Sequence, residues 1–81
     1  MHPLAKFVQK LQEHRRFHLR EIAASILRGN LRGLDIKPLR GYKGYYRCRI
    51  ADIRIVFHRE DSGKNSIVDM DYRSKIYRRW R

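Results

Sequence analysis

The sequence predicts an α+β domain: an N-terminal helical hairpin packed on a small antiparallel β-sheet, with a short C-terminal helix or tail. Three observations carry this. The first third holds two apolar stripes at helical spacing. The segment Tyr45–Phe57, YYRCRIADIRIVF, alternates with the two-residue period of strands. A turn-rich stretch, Asp61-Ser62-Gly63-Lys64-Asn65, separates it from a further alternating run. At 81 residues, the chain has room for one domain, residues 1–81, with a thin core.

In the first stripe, Leu4, Phe7, Val8 and Leu11 are spaced i, i+3, i+4, i+7, and Pro3 suits the first turn of the helix. The second comprises Leu19, Ile22, Ala23, Ile26 and Leu27, and Gly29-Asn30 is its stop signal. The polar residues His14–Arg16 are expected to hold the turn between the helices. Lys6, Lys10, Arg15, Arg16, Arg20 and Arg28 fall on the exposed sides. Leu31–Tyr42 reads as a connector, broken by Gly33, Pro38 and Gly41 and anchored by Leu34, Ile36 and Leu39. Two strands follow, joined by a tight turn at Ala51-Asp52. A third strand is expected over Ser66–Tyr72, and Ser74–Arg81 fits a short helix or a basic tail.

Lys and Arg number 20 against 8 Asp and Glu, a net charge of +12. Such an excess opposes compaction and attracts polyanions, so nucleic acid or an acidic protein is the expected partner. The single cysteine, Cys48, cannot close an internal disulfide and falls on the apolar strand face, as a buried thiol does. The four histidines, His2, His14, His18 and His58, lack metal-ligand spacing, and no metal or other cofactor is expected. No apolar run approaches the roughly 18 residues of a membrane helix, and no apolar signal core follows the N-terminus. The basic helices are needed to cover the sheet rather than a membrane, so a cytoplasmic location is expected.

The hairpin sets two unlike faces. Tyr46, Cys48, Ile50, Ile53, Ile55 and Phe57 form the core face. Tyr45, Arg47, Arg49, Arg54, Val56 and His58 form the other. A two- or four-residue turn at Ala51-Asp52 pairs Ile50 with Ile53 and places Arg49 opposite Arg54, with Cβ atoms about 4.5–5.5 Å apart, and like charges so placed are destabilising. An anion between them reverses the sign, because guanidinium groups grip phosphate or carboxylate oxygens as a planar fork. On the third strand, Val68, Met70 and Tyr72 look like the core set. Asp69 and Asp71 then join the arginine face, either as salt-bridge partners of Arg47, Arg49 or Arg54 or as functional carboxylates. His58 lies about 13 Å along the sheet from Arg54, too far to share one phosphate with it.

Leu39-Arg40-Gly41, Tyr46-Arg47-Cys48-Arg49-Ile50, Asp52-Ile53-Arg54-Ile55-Val56-Phe57, Tyr72-Arg73 and Tyr77 together resemble the RelE/ParE toxins of bacterial and archaeal toxin–antitoxin systems. The resemblance implies a small antiparallel sheet with two helices packed on it. It implies a metal-independent endoribonuclease acting on mRNA in the ribosomal A site, where the ribose 2′-OH attacks the adjacent phosphate. It assigns that chemistry to Arg47, Arg49, Arg54, Arg73 and Tyr77, with Lys43, Tyr45, Arg40, Arg78 and Arg79 as RNA-binding residues. It also implies an acidic cognate antitoxin that covers the basic surface.

The chain departs from the family pattern in places. The usual turn glycine is Ala51, and the histidine before the late arginine is Tyr72. Arginines 47 and 49 stand where many members carry lysine, and the usual N-terminal strand is missing, which leaves a free sheet edge. Two other readings share the fold or the surface: a ParE-like inhibitor of DNA gyrase that cuts nothing, and a non-catalytic RNA-binding module.

Overall fold

The computed structural model describes residues 3–81, with side chains from Lys6 onward. Leu4, expected to open the first apolar stripe, lies outside the described side chains. Among the described residues the order is α1 (Pro3–Gln9), α2 (Glu13–Leu27), β1 (Asp35–Pro38), β2 (Tyr45–Ile50), β3 (Ile53–Arg59), β4 (Asn65–Tyr72) and α3 (Arg73–Arg79). The strands form an antiparallel meander in the order β1-β2-β3-β4.

The two N-terminal helices cover one face of this sheet. Leu11, Leu19 and Ile26 meet Cys48, Ile53, Ile55, Phe57 and Met70 in the core. Full burial of a side chain such as Phe57, Leu19 or Ile26 contributes about 1.5–3 kcal/mol. Leu27 was placed in the second stripe by its spacing, but it is exposed, because one step past Ile26 turns it off the buried stripe. The turn between the helices falls at residues 10–12 rather than at His14–Arg16. The polar run there is the solvent side of the first turn of α2, and Arg15 reaches from it to Asp52. At its far end α2 closes as the sequence suggested. Gly29 takes a left-handed conformation (φ 80), its N–H donates to Ile26 O, and the Asn30 N–H donates to Ser25 O. That is the paired bonding of a Schellman end. The buried Asn65 side chain then donates to the same Ile26 carbonyl (2.9 Å), tying the start of β4 to α2.

The hairpin has the register the alternation implies, with Tyr45 opposite His58, Arg47 opposite Val56 and Arg49 opposite Arg54. Two features of the sheet depart from expectation. Asp35–Pro38, within the expected connector, is a strand paired with β2, which sets Asp35 opposite Arg49 and Lys37 opposite Arg47. The second is a bulge in β4. Phe57 faces Ile67 while Val56 faces Asp69, so Val68 is the extra residue. Ile67 therefore packs against the core and Val68 is exposed, the reverse of a strictly alternating strand.

The hairpin turn is the strained point. Ala51 has φ 53, the only described non-glycine residue with positive φ. A positive φ at the first central position alone is the type II′ pattern, which favours glycine. Ala51→Gly relieves the strain but adds freedom to the unfolded chain. We expect a net gain of about 0.5–1 kcal/mol in urea denaturation.

Candidate active site

The second face of the sheet is divided by α3. This helix packs on β4 and β3, where Ile76 and Val56 are both buried. The backbone N–H of Arg73 donates to Asp52 O (2.8 Å), fixing the start of α3 at the hairpin turn. Its end is held by carboxylates. Arg79 donates from Nε and Nη2 to the two oxygens of Asp69 (2.9 and 3.0 Å) and from Nη2 to Asp71 (3.0 Å). The indole N–H of Trp80 adds a bond to Asp69 (2.8 Å). Asp69 and Asp71 thus share the arginine face, but they bind Arg79 rather than Arg47, Arg49 or Arg54. Arg79 lies in the stretch that the sequence left between helix and tail.

What α3 leaves open is a cleft of about 520 Å³ over β2 and its neighbours. The sheet side supplies Leu39, Arg40, Arg47, Arg49 and Arg54. The helix side supplies Arg73, Ile76, Tyr77 and Trp80, and Arg81 follows. Arg73, Ile76 and Tyr77 are spaced i, i+3, i+4 on one face of α3, and Trp80 is its C-cap residue. No Asp or Glu side chain lines this cleft among the described residues. Among the described side chains Asp35 is the carboxylate that reaches a lining arginine, its oxygen 3.9 Å from Arg47 Nη1, a long contact. That Arg47 nitrogen is itself buried without a hydrogen-bond acceptor among the described residues.

Arg54 is the buried member, with 9% of its surface exposed. Its Nη1 donates to Ala51 O (2.8 Å) and Ile53 O (3.0 Å), so the side chain also holds the hairpin turn. Burial lowers its pKa most, and the positive charges of Arg47, Arg49 and Arg73 lower it further. An arginine still stays charged. These neighbours therefore make the cleft a place where an anion is strongly favoured. Cys48 lies beneath on the core side. Burial first, and Asp35 second, push its thiol up to about 11, against Arg47 and Arg54, so it is inert as a nucleophile at neutral pH.

The structure brings Arg47, Arg49, Arg54, Arg73, Tyr77 and Arg40 to this one cleft. Lys43 and Arg78 are exposed outside its lining, and Arg79 is committed to Asp69 and Asp71. Tyr45 packs at a tilt against both His58 (ring centroids 4.5 Å) and Trp80 (5.6 Å). Gly44, at φ 82, lets this packing form, since a Cβ there would come within 3.2 Å of the His58 ring. Sequence reasoning missed Trp80 and Arg81. The signal was Trp80's spacing of seven from Arg73 and three from Tyr77, once the tail is read as helix. Among the described residues no group of three or more His, Cys, Asp or Glu side chains is placed to hold a metal. No described helix is long and apolar enough to cross a membrane.

No family model matches the sequence, and no curated protein matches it. A solved structure does match: the RelB–RelE antitoxin–toxin complex from Methanococcus jannaschii. The alignment covers 95% of this chain and 92% of the matched chain, with a TM-score of 0.74 and 23% sequence identity. The fold is the RelE-like one. At that identity the likeness is one of fold, and the RelE-like architecture expected from the sequence is present.

The carboxylate clamp on α3 sets a pH dependence. Burial raises the Asp69 pKa, but hydrogen bonds from Arg79, Trp80 and the Met70 N–H outweigh it and hold the carboxyl below its usual range. A folded-state value below the unfolded one gives stability that is fully present above the ordinary aspartate pKa of about 3.9. It is lost as pH falls from there through the folded value. Urea midpoints measured across acid pH should show this limb, and Asp69→Asn should flatten it. The same substitution should cost about 1–3 kcal/mol at neutral pH.

Proposed function

We propose that this protein is the toxin of a toxin–antitoxin pair, and that its arginine cleft cleaves mRNA presented by the ribosome. The observation that carries the reading is the cleft itself. Arg47, Arg49, Arg54 and Arg73 converge on it, and no Asp or Glu side chain lines it among the described residues. Such a surface takes a phosphodiester readily and has little other reason to exist, since arginines 49 and 54 face each other at a cost. The shared fold with a chain of the RelB–RelE complex supports the same reading.

In the proposed reaction the ribose 2′-oxygen attacks the adjacent phosphorus. A P–O2′ bond forms, the P–O5′ bond breaks, and a cyclic phosphate and a 5′-OH result. Arg49 and Arg54 bind the non-bridging oxygens from two strands and stabilise the charge that grows on them. Arg54 can do so because Nε and Nη2 meet no acceptor among the described residues. Arg73, at the start of α3, supports the leaving side. Tyr77 is 71% exposed, and its phenol supplies a proton to the departing 5′-oxygen. Arg47, which lines the cleft beside Arg49, holds the flanking phosphate. No lining side chain is a base at neutral pH. The 2′-OH proton therefore leaves to water or to groups of the ribosome, and the acceleration comes from alignment and charge. That division of labour makes cleavage depend on the ribosome. The reaction takes place in the cytoplasm, and it needs no metal or cofactor.

The antitoxin partner follows from the same electrostatics. An acidic, partly disordered segment laid over the cleft neutralises the arginines and excludes mRNA.

Arg49 offers the sharpest test. It is exposed and makes no ion pair among the described residues, so its removal leaves the fold intact. Primer extension on mRNA in a reconstituted translation reaction should show cuts that need ribosomes. Arg49→Ala should reduce them about 100-fold or more. Uncut mRNA with folded wild-type protein would remove the nuclease reading, and loss of gyrase supercoiling in a parallel assay would then establish the gyrase-inhibitor alternative.

A further inference from the structure

We propose that Trp80, flanked by Arg40 and Arg81, is a nucleobase-stacking subsite for the nucleotide next to the phosphate held at Arg49 and Arg54. This rests on the reading of the cleft as an RNA site. The two ends of the cleft differ in chemistry and are well separated. The Arg73 backbone fixes one end of α3 at the hairpin turn, beside Arg49 and Arg54. Trp80 stacks on Tyr45 at the opposite end of the hairpin. The seven-residue step from Arg73 to Trp80 spans about 10 Å of helix, and Arg49 to Tyr45 spans about 13 Å of strand. One phosphate group cannot fill that length. The turn end is guanidinium only. The far end combines apolar surface, Leu39 and Trp80, with Arg40 and Arg81. A base needs an aromatic platform of this kind, and the phosphate beyond it needs the two arginines.

The platform is also held rigid. The indole N–H bonds Asp69 (2.8 Å). The ring leans on Tyr45 (5.6 Å, 39°) and takes Tyr42 edge-on (5.2 Å, 68°). His58 packs against Tyr45 in turn (4.5 Å, 38°), and the Tyr42 hydroxyl donates to Arg81 O (3.2 Å). A structural role alone would explain an anchored C-terminus. It leaves unexplained why the ring stays partly exposed in a cleft that exposed Arg40 and Arg81 also line. Because its orientation is already fixed, a base that stacks there freezes no tryptophan rotamer. Stacking accepts any base, so the subsite adds affinity without a strict sequence preference.

Trp80 is the only tryptophan in the chain, so its fluorescence reports on this site alone. A short 2′-O-methyl RNA, which cannot be cleaved, should quench that emission. The quench should saturate at the same concentration as binding followed by anisotropy of an end-labelled copy. The same oligonucleotide made abasic throughout should bind roughly 10- to 100-fold more weakly and leave the emission unchanged. Trp80→Phe should keep most of the affinity. Binding that Arg49→Ala abolishes, but that neither quenches Trp80 nor weakens with the abasic RNA, would overturn the subsite and leave the phosphate cleft standing. No binding even at low salt would overturn it as well, and mRNA cleavage on ribosomes would still decide the nuclease reading separately.

Discussion

The site depends on the contact between Asp69 and Asp71 of β4 and Arg79 of α3, with the Trp80 indole as its fourth member. A seven-residue helix has no stability of its own in water. α3 is a helix here because three things hold it: an N–H bond to the hairpin turn, Ile76 buried where the helix packs on β3 and β4, and the carboxylates that hold its last turn. Without that last fixing there is no wall opposite β2, and the arginines of the sheet stand on an open surface rather than in a cleft. The wall matters for charge as well as shape, because excluding water on one side strengthens every interaction the guanidiniums make.

The arginine face is tolerated because the other face of the same strands is fully used. Cys48, Ile53, Ile55 and Phe57 alternate with Arg47, Arg49, Arg54 and Val56, and the first set is buried under α1 and α2. A one-residue slip of register would exchange the two sets. The apolar core therefore places Arg49 opposite Arg54 although their mutual repulsion opposes it. Arg54 offsets part of this locally, giving two hydrogen bonds to the turn that joins its strand to its neighbour. It is at once a charged site residue and the internal support of a turn that Ala51 strains.

The hairpin was legible in the sequence because thirteen residues alternate almost without exception, and its register follows from the turn alone. β1 was not legible. It has four residues, one of them proline, and only Ile36 points to the core, so it carries no period to read. The bulge at Val68 was hidden for the opposite reason. A perfect-looking Val68-Met70-Tyr72 alternation is interrupted by a backbone irregularity that no side chain announces. In the helices, the polar run His14–Arg16 mimics a break but belongs to the first turn of α2. The arginines of the cleft were found from the strands. The partners of Asp69 and Asp71 were not, because they lie on an element whose helicity comes from tertiary contacts rather than from its own sequence. The same blindness hid Trp80.

The allocation of the few carboxylates is what gives the cleft its character. The chain has 8 acidic residues against 20 basic ones. On the second face of the sheet these are Asp35, Asp69 and Asp71. The last two are spent on Arg79, outside the cleft, and Asp35 meets Arg47 only at 3.9 Å. Asp52, at the turn, is taken by Arg15 from α2. Each carboxylate near the arginine cluster thus pairs with a cation that is not needed there, or makes only a distant contact. The structure holds its wall in place with the charges that would otherwise neutralise the site. Among the described side chains the arginines that remain keep only the long Asp35–Arg47 contact as a counter-charge, and an incoming anion meets them largely uncompensated.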